Sequence, residues 1–488
     1  MVEIRNLRQL RNSPRIIPEG RSLDPVHQPR ILRELRESGH VHRTVKAEVR
    51  ENLLAKLRAG EPRFPGIVGF DDSVLPHLER ALIAGHDLVL LGERGQGKTR
   101  LIRTVTGLLD EWTPVVEGCE INDHPYAPVC GRCRALADEL GDELPVAWKH
   151  RDERYGEKLA TPDTSVGDLI GDIDPIKIAE GRRLGDPETV HYGLVPRTNR
   201  GVFSVNELPD LAERIQVSLL NVLEERDIQV RGYNLRLPLD ILLIASANPE
   251  DYTNRGRIIT PLKDRFGAEV RTHYPLTIED ELTLIRQETV PDIGADIPEH
   301  LIEAIARFTR LVRESTAVDA RSGVSARFSI AAAETASASA VRRAAIAGEE
   351  QAVTRVCDLA PVVHSLRGKV EFEVSEEGRE TEILAHLLRR ATAETFRSRL
   401  GGMDLSPLTD KFAEGNQVES GELIGAGELL HRIGPVNGLA KIMTALGMGA
   451  GEESPGHAAA ALEFALEGLY LMRRLSKDDL DGVAVYRT

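Results

Sequence analysis

The chain has 488 residues, 41% of them hydrophobic, 28% charged and 4% aromatic, with a net charge of −15. That length exceeds what one hydrophobic core holds and points to about three domains. No apolar run approaches a membrane span and no apolar signal core opens the chain, so no span is expected and cytoplasmic residence is. Four cysteines in a chain this long do not make a disulfide framework.

Residues 1–63 depart from the acidic average, with 14 Lys/Arg against 8 Asp/Glu. They read as a basic helical extension that docks on the acidic body. Nucleic acid is not an expected partner, because an acidic protein is a poor binder of phosphate backbones. From residue 64 the order is that of a nucleotide-binding α/β domain, extending to 275. Phe64-Pro-Gly-Ile-Val-Gly69 precedes an amphipathic helix, and Asp87-Leu-Val-Leu-Leu91 is an apolar strand. Directly behind it stands Gly92-Glu-Arg-Gly-Gln-Gly-Lys-Thr99, a complete Walker A pattern. Its glycines (Gly92, Gly95, Gly97) let the backbone curl so that N–H groups face a polyphosphate; Lys98 reaches the β/γ-phosphates and the Thr99 hydroxyl can ligate Mg²⁺. The helix beginning at Lys98 aims its positive end at the same phosphates. ATP with Mg²⁺ is the expected cofactor pair.

A second strand is expected near Pro114-Val-Val-Glu117. From about 119 to 193 the chain is punctuated by Pro, Gly and Asp and reads as an irregular insertion. Within it Cys130-x-x-Cys133 is half of a zinc knuckle, with Cys119 a third ligand and His124 or Asp123 a fourth; free thiols or a redox role stay open beside structural Zn²⁺. Order resumes with strand Gly201–Val205, a helix over 210–225 and a hairpin over 228–237 turning about Gly-Tyr-Asn. Leu239–Ser246 is the strongest buried strand. Alternating strands and helices imply a parallel, doubly wound sheet.

Hydrolysis needs a metal anchor at a strand end, a residue that orients water and a group that reports on the γ-phosphate. Asn206-Glu207 closes the third strand where an Asp-Glu pair is usual. Glu207 can polarise water, whereas Asn206 offers Mg²⁺ an amide without charge, so slow turnover is expected. Asn248 sits at the tip of the best strand, and Arg265 lies in Thr260-Pro-Leu-Lys-Asp-Arg-Phe-Gly267 as either an arginine finger or an ion-pair partner of Asp264. After about 275 the strands stop: a helical segment covers 276–345, and 346–488 is a further mostly helical domain of unassigned role.

Together these pieces resemble an AAA+ ATPase, and within that class the magnesium-chelatase I-subunit/MoxR group, over about residues 64–345. The motifs are Ile67-Val68-Gly69, the Walker A loop, Gly193-Leu-Val with Asn199-Arg-Gly-Val202, the hairpin, and Leu262-Lys-Asp-Arg-Phe-Gly267. The resemblance implies that Ile67 and Val68 flank the nucleotide, that Asn248 is sensor 1, that Arg265 acts in trans, and that 276–345 is a lid whose Gly323-Val-Ser-Ala-Arg327 makes Arg327 a cis contact to the phosphates. It also implies a cysteine cluster in the insertion and a homo-oligomeric ring, usually a hexamer. The function so implied is an ATP-driven remodeller of a partner with a von Willebrand A domain. Such a partner acts in trans, since 346–488 lacks Asp-x-Ser-x-Ser and holds only the fragment Asp404-Leu-Ser406. Alternatives are the motor subunit of a true Mg or Co chelatase for tetrapyrroles, a sigma-54-type regulator (though no Gly-Ala-Phe-Thr-Gly-Ala run is present), and an ATP-binding assembly module with little hydrolysis.

Overall fold

The computed structural model describes residues 28–173, 176, 179, 189–225, 228–230, 233–235, 237–249, 257–289, 293–319, 323–412, 416–449, 454–480 and 483–487. Its strands in chain order are β1 (Leu88–Leu91), β2 (Trp112–Val116), β3 (Val146–His150), β4 (Tyr155–Leu159), β5 (Gly171–Ile173), β6 (Val190–Tyr192), β7 (Gly201–Asn206), β8 (Ile228–Val230), β9 (Tyr233–Leu235), β10 (Ile241–Ala247) and β11 (Ala268–Arg271). Five of them form one sheet, ordered β11-β1-β10-β7-β4, in which every pairing is parallel. The three central strands are apolar runs buried at every residue, as a sheet covered on both faces requires.

Alternate residues feed two separate cores. Leu88, Leu90, Val202, Leu242 and Ile244 pack with helices Val45–Ala59, Val74–Ala84 and Lys98–Thr104. Val89, Phe203, Val205, Leu243 and Ala245 pack on the other face with Ile215 and Leu219 of helix Glu213–Glu225 and with Cys130 and Cys133. The period of two along each strand thus produces the doubly wound architecture read from the sequence.

The described residues of 119–193 carry regular elements. β2 and β3 pair antiparallel outside the main sheet, helix Gly131–Leu140 lies between them, and β4 extends the main sheet beyond β7. The strand expected near 114–117 is therefore β2, but it lies outside the parallel sheet. β4 escapes a hydrophobicity reading because it is an edge strand, Tyr-Gly-Glu-Lys-Leu, with one side open. The hairpin exists, but Tyr233 pairs with Val230, so Tyr233 and Asn234 belong to a strand and not to the turn.

The basic extension docks on the body in its described part. Helix Val45–Ala59 buries Val45, Val49 and Leu53, and its Glu48 accepts both Arg154 terminal nitrogens at 2.7 Å in an ion pair almost closed to solvent. Arg33 and Arg36 of helix Leu32–Glu37 pair with Glu143 and Asp142.

Strands do not stop at 275. β12 (Ala295–Asp296) pairs with β13 (Ala352–Val353), and β14 (Val418–Gly421), β15 (Ser476–Leu480) and β16 (Val483–Arg487) form a small antiparallel sheet. All are short, and β15, Ser-Lys-Asp-Asp-Leu, is strongly charged, so they escape a reading by apolar alternation. Residues read as a lid and as a separate C-terminal domain share one core, from Leu282 and Phe328 to Phe464 and Tyr486. A buried polar chain crosses it: Arg343 of helix Ala326–Ala347 pairs with Asp358, whose Oδ2 accepts from the Arg355 backbone N–H, and Arg355 pairs with Glu463 of helix Pro455–Leu471. Among the described residues no helix is long and apolar enough to cross a membrane.

Candidate active site

The Walker A loop leaves β1 and enters helix Lys98–Thr104. Gly95 and Gly97 take φ of +75° and +74°, the left-handed region where glycine costs least. Gly92 is needed for space instead: a Cβ there would lie 2.0 Å from Thr272 Oγ1. Gln96 accepts from Thr272 Oγ1 at 2.8 Å and from Glu93 N at 3.1 Å, tying the loop to the end of β11. No side chain caps the helix at Gly97, so its first N–H groups stay directed at the loop.

Lys98 Nζ donates to the carbonyls of Gly92 and Glu93, the latter at 2.8 Å, and to Asn248 Oδ1 at 2.9 Å. Three oxygen acceptors at one ammonium are what phosphate oxygens would replace, and they tie the loop to the tip of β10. On the other side of the helix start, Thr99 Oγ1 donates to Asn206 Oδ1 at 3.3 Å and Ser246 Oγ donates to the same oxygen at 3.1 Å. The Asn206 amide nitrogen donates to Glu157 Oε1 at 2.7 Å. A carboxylate only accepts, so this contact fixes the amide with its oxygen toward Thr99. Glu157 is in turn held by Arg103 through Nε at 2.9 Å and Nη2 at 3.1 Å. A carboxylate, Glu157 of β4, thus lies behind the residue 206 amide and is itself paired with Arg103. Thr99 and the Asn206 carbonyl oxygen fit a hard cation that keeps phosphate and water among its ligands.

Glu207 follows with φ 55° and ψ 46°, a left-handed backbone that a non-glycine residue rarely adopts. Its N–H donates to Ser246 Oγ at 3.3 Å. Ile67 and Val68 are half-buried beside this core. Helix Ile278–Glu288 holds their segment: Gln287 Nε2 donates to Gly66 O at 2.8 Å, and a Cβ on Gly69 would lie 3.1 Å from the Asp280 carboxyl carbon. Ser325, at the start of helix Ala326–Ala347, packs so tightly on Gly95 that a Cβ there would sit 1.9 Å from the serine Cβ. Arg327 is exposed on the first turn of that helix, and Arg265 is exposed as the last residue of helix Thr260–Arg265. Lys98, Thr99, Asn206, Glu207 and Asn248 therefore meet in one place. Glu157 and Ser246 are the members that sequence reading missed, and Tyr155-Gly-Glu-Lys-Leu159 carries no local pattern that would have marked Glu157.

The cysteine cluster also forms. One ligand atom each from Cys119, Asp123, Cys130 and Cys133 lies within 4.8 Å of every other. Hydrogen bonding from Cys130 and then Cys133 draws the Cys119 thiol down to about 3, and the Cys119 bond pushes Cys130 up to about 12. His124 is not in this set, whereas its alternative Asp123 is. Its Nδ1 accepts from Tyr126 N at 3.0 Å, its Nε2 lies 3.2 Å from His40 Nε2, and burial with Arg200 nearby pushes it down to about 2.

A family model for the sigma-54 interaction domain matches residues 184–265, the stretch carrying Asn206, Glu207, Asn248 and Arg265. The chain is 29% identical over 280 residues to the magnesium-chelatase 38 kDa subunit of Rhodobacter capsulatus, covering 54% of this chain and 74% of that one. It is 30% identical over 196 residues to magnesium-chelatase subunit ChlI of Guillardia theta, covering 38% and 50%. Among solved structures, a complex between subunits BchI and BchD of magnesium chelatase, based on a single-particle cryo-EM reconstruction, aligns at 21% identity and TM-score 0.35, over 66% of this chain and 98% of that one. The match thus spans between half and three quarters of these curated relatives. The motifs and these relatives support an AAA+ ATPase of the magnesium-chelatase I-subunit group.

Proposed function

We propose that this chain hydrolyses ATP as a subunit of a homo-oligomeric ring, a hexamer in the simplest case, and uses the cycle to remodel a partner carrying a von Willebrand A domain. The observation that carries the reading is the bond from Lys98 to Asn248 at 2.9 Å, which joins the phosphate lysine to the tip of a neighbouring strand. Bound Mg²⁺ would neutralise charge on the phosphates. Lys98 holds the β/γ oxygens, Thr99 and Asn206 present oxygen ligands, and Glu157 adds negative charge behind Asn206. Glu207 orients and polarises water, and Asn248 senses whether a γ-phosphate is in place. The strained backbone of Glu207 supports such a role, because unfavourable φ/ψ persists where function over-determines it. The contacts of Ser325 with Gly95 and of Gln287 with Gly66 couple the lid to nucleotide state, with Arg327 as its phosphate contact in cis and Arg265 the contact in trans.

The test is turnover and capture. Glu207→Gln should keep ATP binding and lose hydrolysis by about 10²–10⁴-fold, the usual worth of a general base. Proteins retained by the ATP-loaded variant are then identified by mass spectrometry. A von Willebrand A protein alone supports the remodeller, and the same protein with a large chelatase subunit supports a chelatase motor. The match to the sigma-54 interaction domain favours a second reading, a transcriptional regulator, for which RNA polymerase would be retained instead.

A further inference from the structure

We propose that Cys119, Asp123, Cys130 and Cys133 bind one Zn²⁺ ion that closes the 119–133 loop, which hydrogen bonds in turn lace to the start of the strand ending at Asn206. The first support is geometric: a thiol or carboxylate atom from each residue falls within 4.8 Å of all the others, and Asp123, Cys130 and Cys133 are buried. The second is an orphan. Asp123 is 1% exposed, and its Oδ1 has no hydrogen-bond partner among the described residues. Its other oxygen is fixed by the N–H groups of Val129 at 3.0 Å and Cys130 at 2.9 Å. A buried carboxylate oxygen with no partner costs free energy unless something positive meets it. The sulfurs are prepared as well: Cys119 Sγ accepts from Asp123 N and Cys130 Sγ from Cys133 N, each at 3.3 Å.

Three soft sulfurs and one oxygen select Zn²⁺ over the Mg²⁺ of the nucleotide site, and four protein ligands leave no open position for catalysis. Binding releases thiol protons to solvent and changes no oxidation state. The ligand loop is laced to the start of β7. Asn122 Nδ2 donates to the carbonyls of Arg197 at 2.8 Å and Asn199 at 3.3 Å, Asn199 Nδ2 returns a bond to Ile121 O at 3.0 Å, and Arg200 Nη1 donates to Pro114 O at 2.7 Å. Ile121, Cys130 and Cys133 then pack in the same core as Phe203 and Val205. The ion would hold this lacing from its outer end, whether or not the chain hydrolyses ATP.

The test uses the full chain without a histidine tag, purified with Zn²⁺ present and then dialysed. Elemental analysis should find about one zinc per chain, released by a thiol-specific mercurial, with Cys119→Ser and Cys133→Ser falling below about a tenth of that content. Because those variants can fail to fold, the wild-type chain is also loaded with Co²⁺ alone. Thiolate-to-cobalt charge-transfer absorption with tetrahedral d–d bands supports the site, and Asp123→Asn should shift the d–d bands while keeping the charge-transfer bands. Zinc content unchanged in Cys133→Ser would overturn it. So would a metal-free native chain whose three thiols react freely, or a Co²⁺ spectrum without thiolate bands.

Discussion

At Asn206 a neutral amide stands where a carboxylate is usual, yet its nitrogen donates to Glu157 at 2.7 Å. A carboxylate thus stands one strand pairing away from residue 206, and the expected outcome is that Asp at 206 alone does not raise turnover. Asn206→Asp alone would set two carboxylates in contact, and turnover should fall. Glu157→Gln should lower turnover by about 10–100-fold, as for other outer-shell carboxylates at metal sites. The double exchange Asn206→Asp with Glu157→Gln should recover most of it. ATPase rates of the four proteins check this, and independent effects of the two changes would sink the coupling. A second residue sets acid stability. His300 is fully buried against Phe464, neither ring nitrogen has a side-chain partner among the described residues, and burial, then Arg399, push its pKa from 6.5 down to about 3 against a backbone contact at Leu446. The unfolded chain therefore takes up a proton below 6.5 that the folded chain refuses until about 3, and stability falls with pH through that window. The slope is about 1.4 kcal/mol per pH unit. His300→Leu should flatten the loss between pH 6.5 and 5 in urea titrations, and an unchanged slope would assign the acid sensitivity elsewhere.

Among the elements, helix Val45–Ala59 shares one core with β1 and the helix that follows the Walker A loop. Its Glu48 takes Arg154 in a two-bond pair and also accepts the Asp110 N–H at 2.7 Å, while Arg154 Nε donates to Arg200 O at 2.8 Å, next to the start of β7. Arg154→Met would leave a buried carboxylate without its cation, at a cost of about 3–5 kcal/mol. Chemical denaturation should register that loss, and Arg154→Met with Glu48→Met should regain much of it, since the penalty belongs to the unpaired charge. The sequence made some of this legible and hid the rest for physical reasons. The Walker loop, Asn248 and the buried strands β1, β7 and β10 were readable because each is a local pattern: a fixed spacing of glycines, or an unbroken apolar run. β4 was not, because an edge strand need not be apolar, and Glu157 gains its meaning only from its pairing with β7. The shared core of 276–345 and 346–488 was hidden too. Its small residues, such as Ala332, Ala336 and Ala460, carry weight only by letting helices approach, which no window along one helix reveals.

For the whole molecule the decisive feature is the contrast in exposure between the proposed phosphate lysine and the proposed arginine finger. Lys98 is enclosed in its own loop by Gly92, Glu93 and Asn248, whereas Arg265 ends an exposed helix. A ring built by one repeated, heterologous contact would set Arg265 of each subunit against the nucleotide of the next. Lys98→Ala and Arg265→Ala should then each abolish hydrolysis, but by different routes: the first loses ATP binding, the second keeps it. Mixing the two inactive proteins makes the sharper test. In a randomly mixed ring about a quarter of the interfaces combine an intact Lys98 with an intact Arg265 from the neighbour, so turnover should reappear on mixing. If Arg265 served its own subunit, every site in the mixture would stay defective and no activity would return. Because an exposed arginine contributes little to folding, loss of activity in Arg265→Ala with an unchanged melting temperature separates the trans role from a structural one.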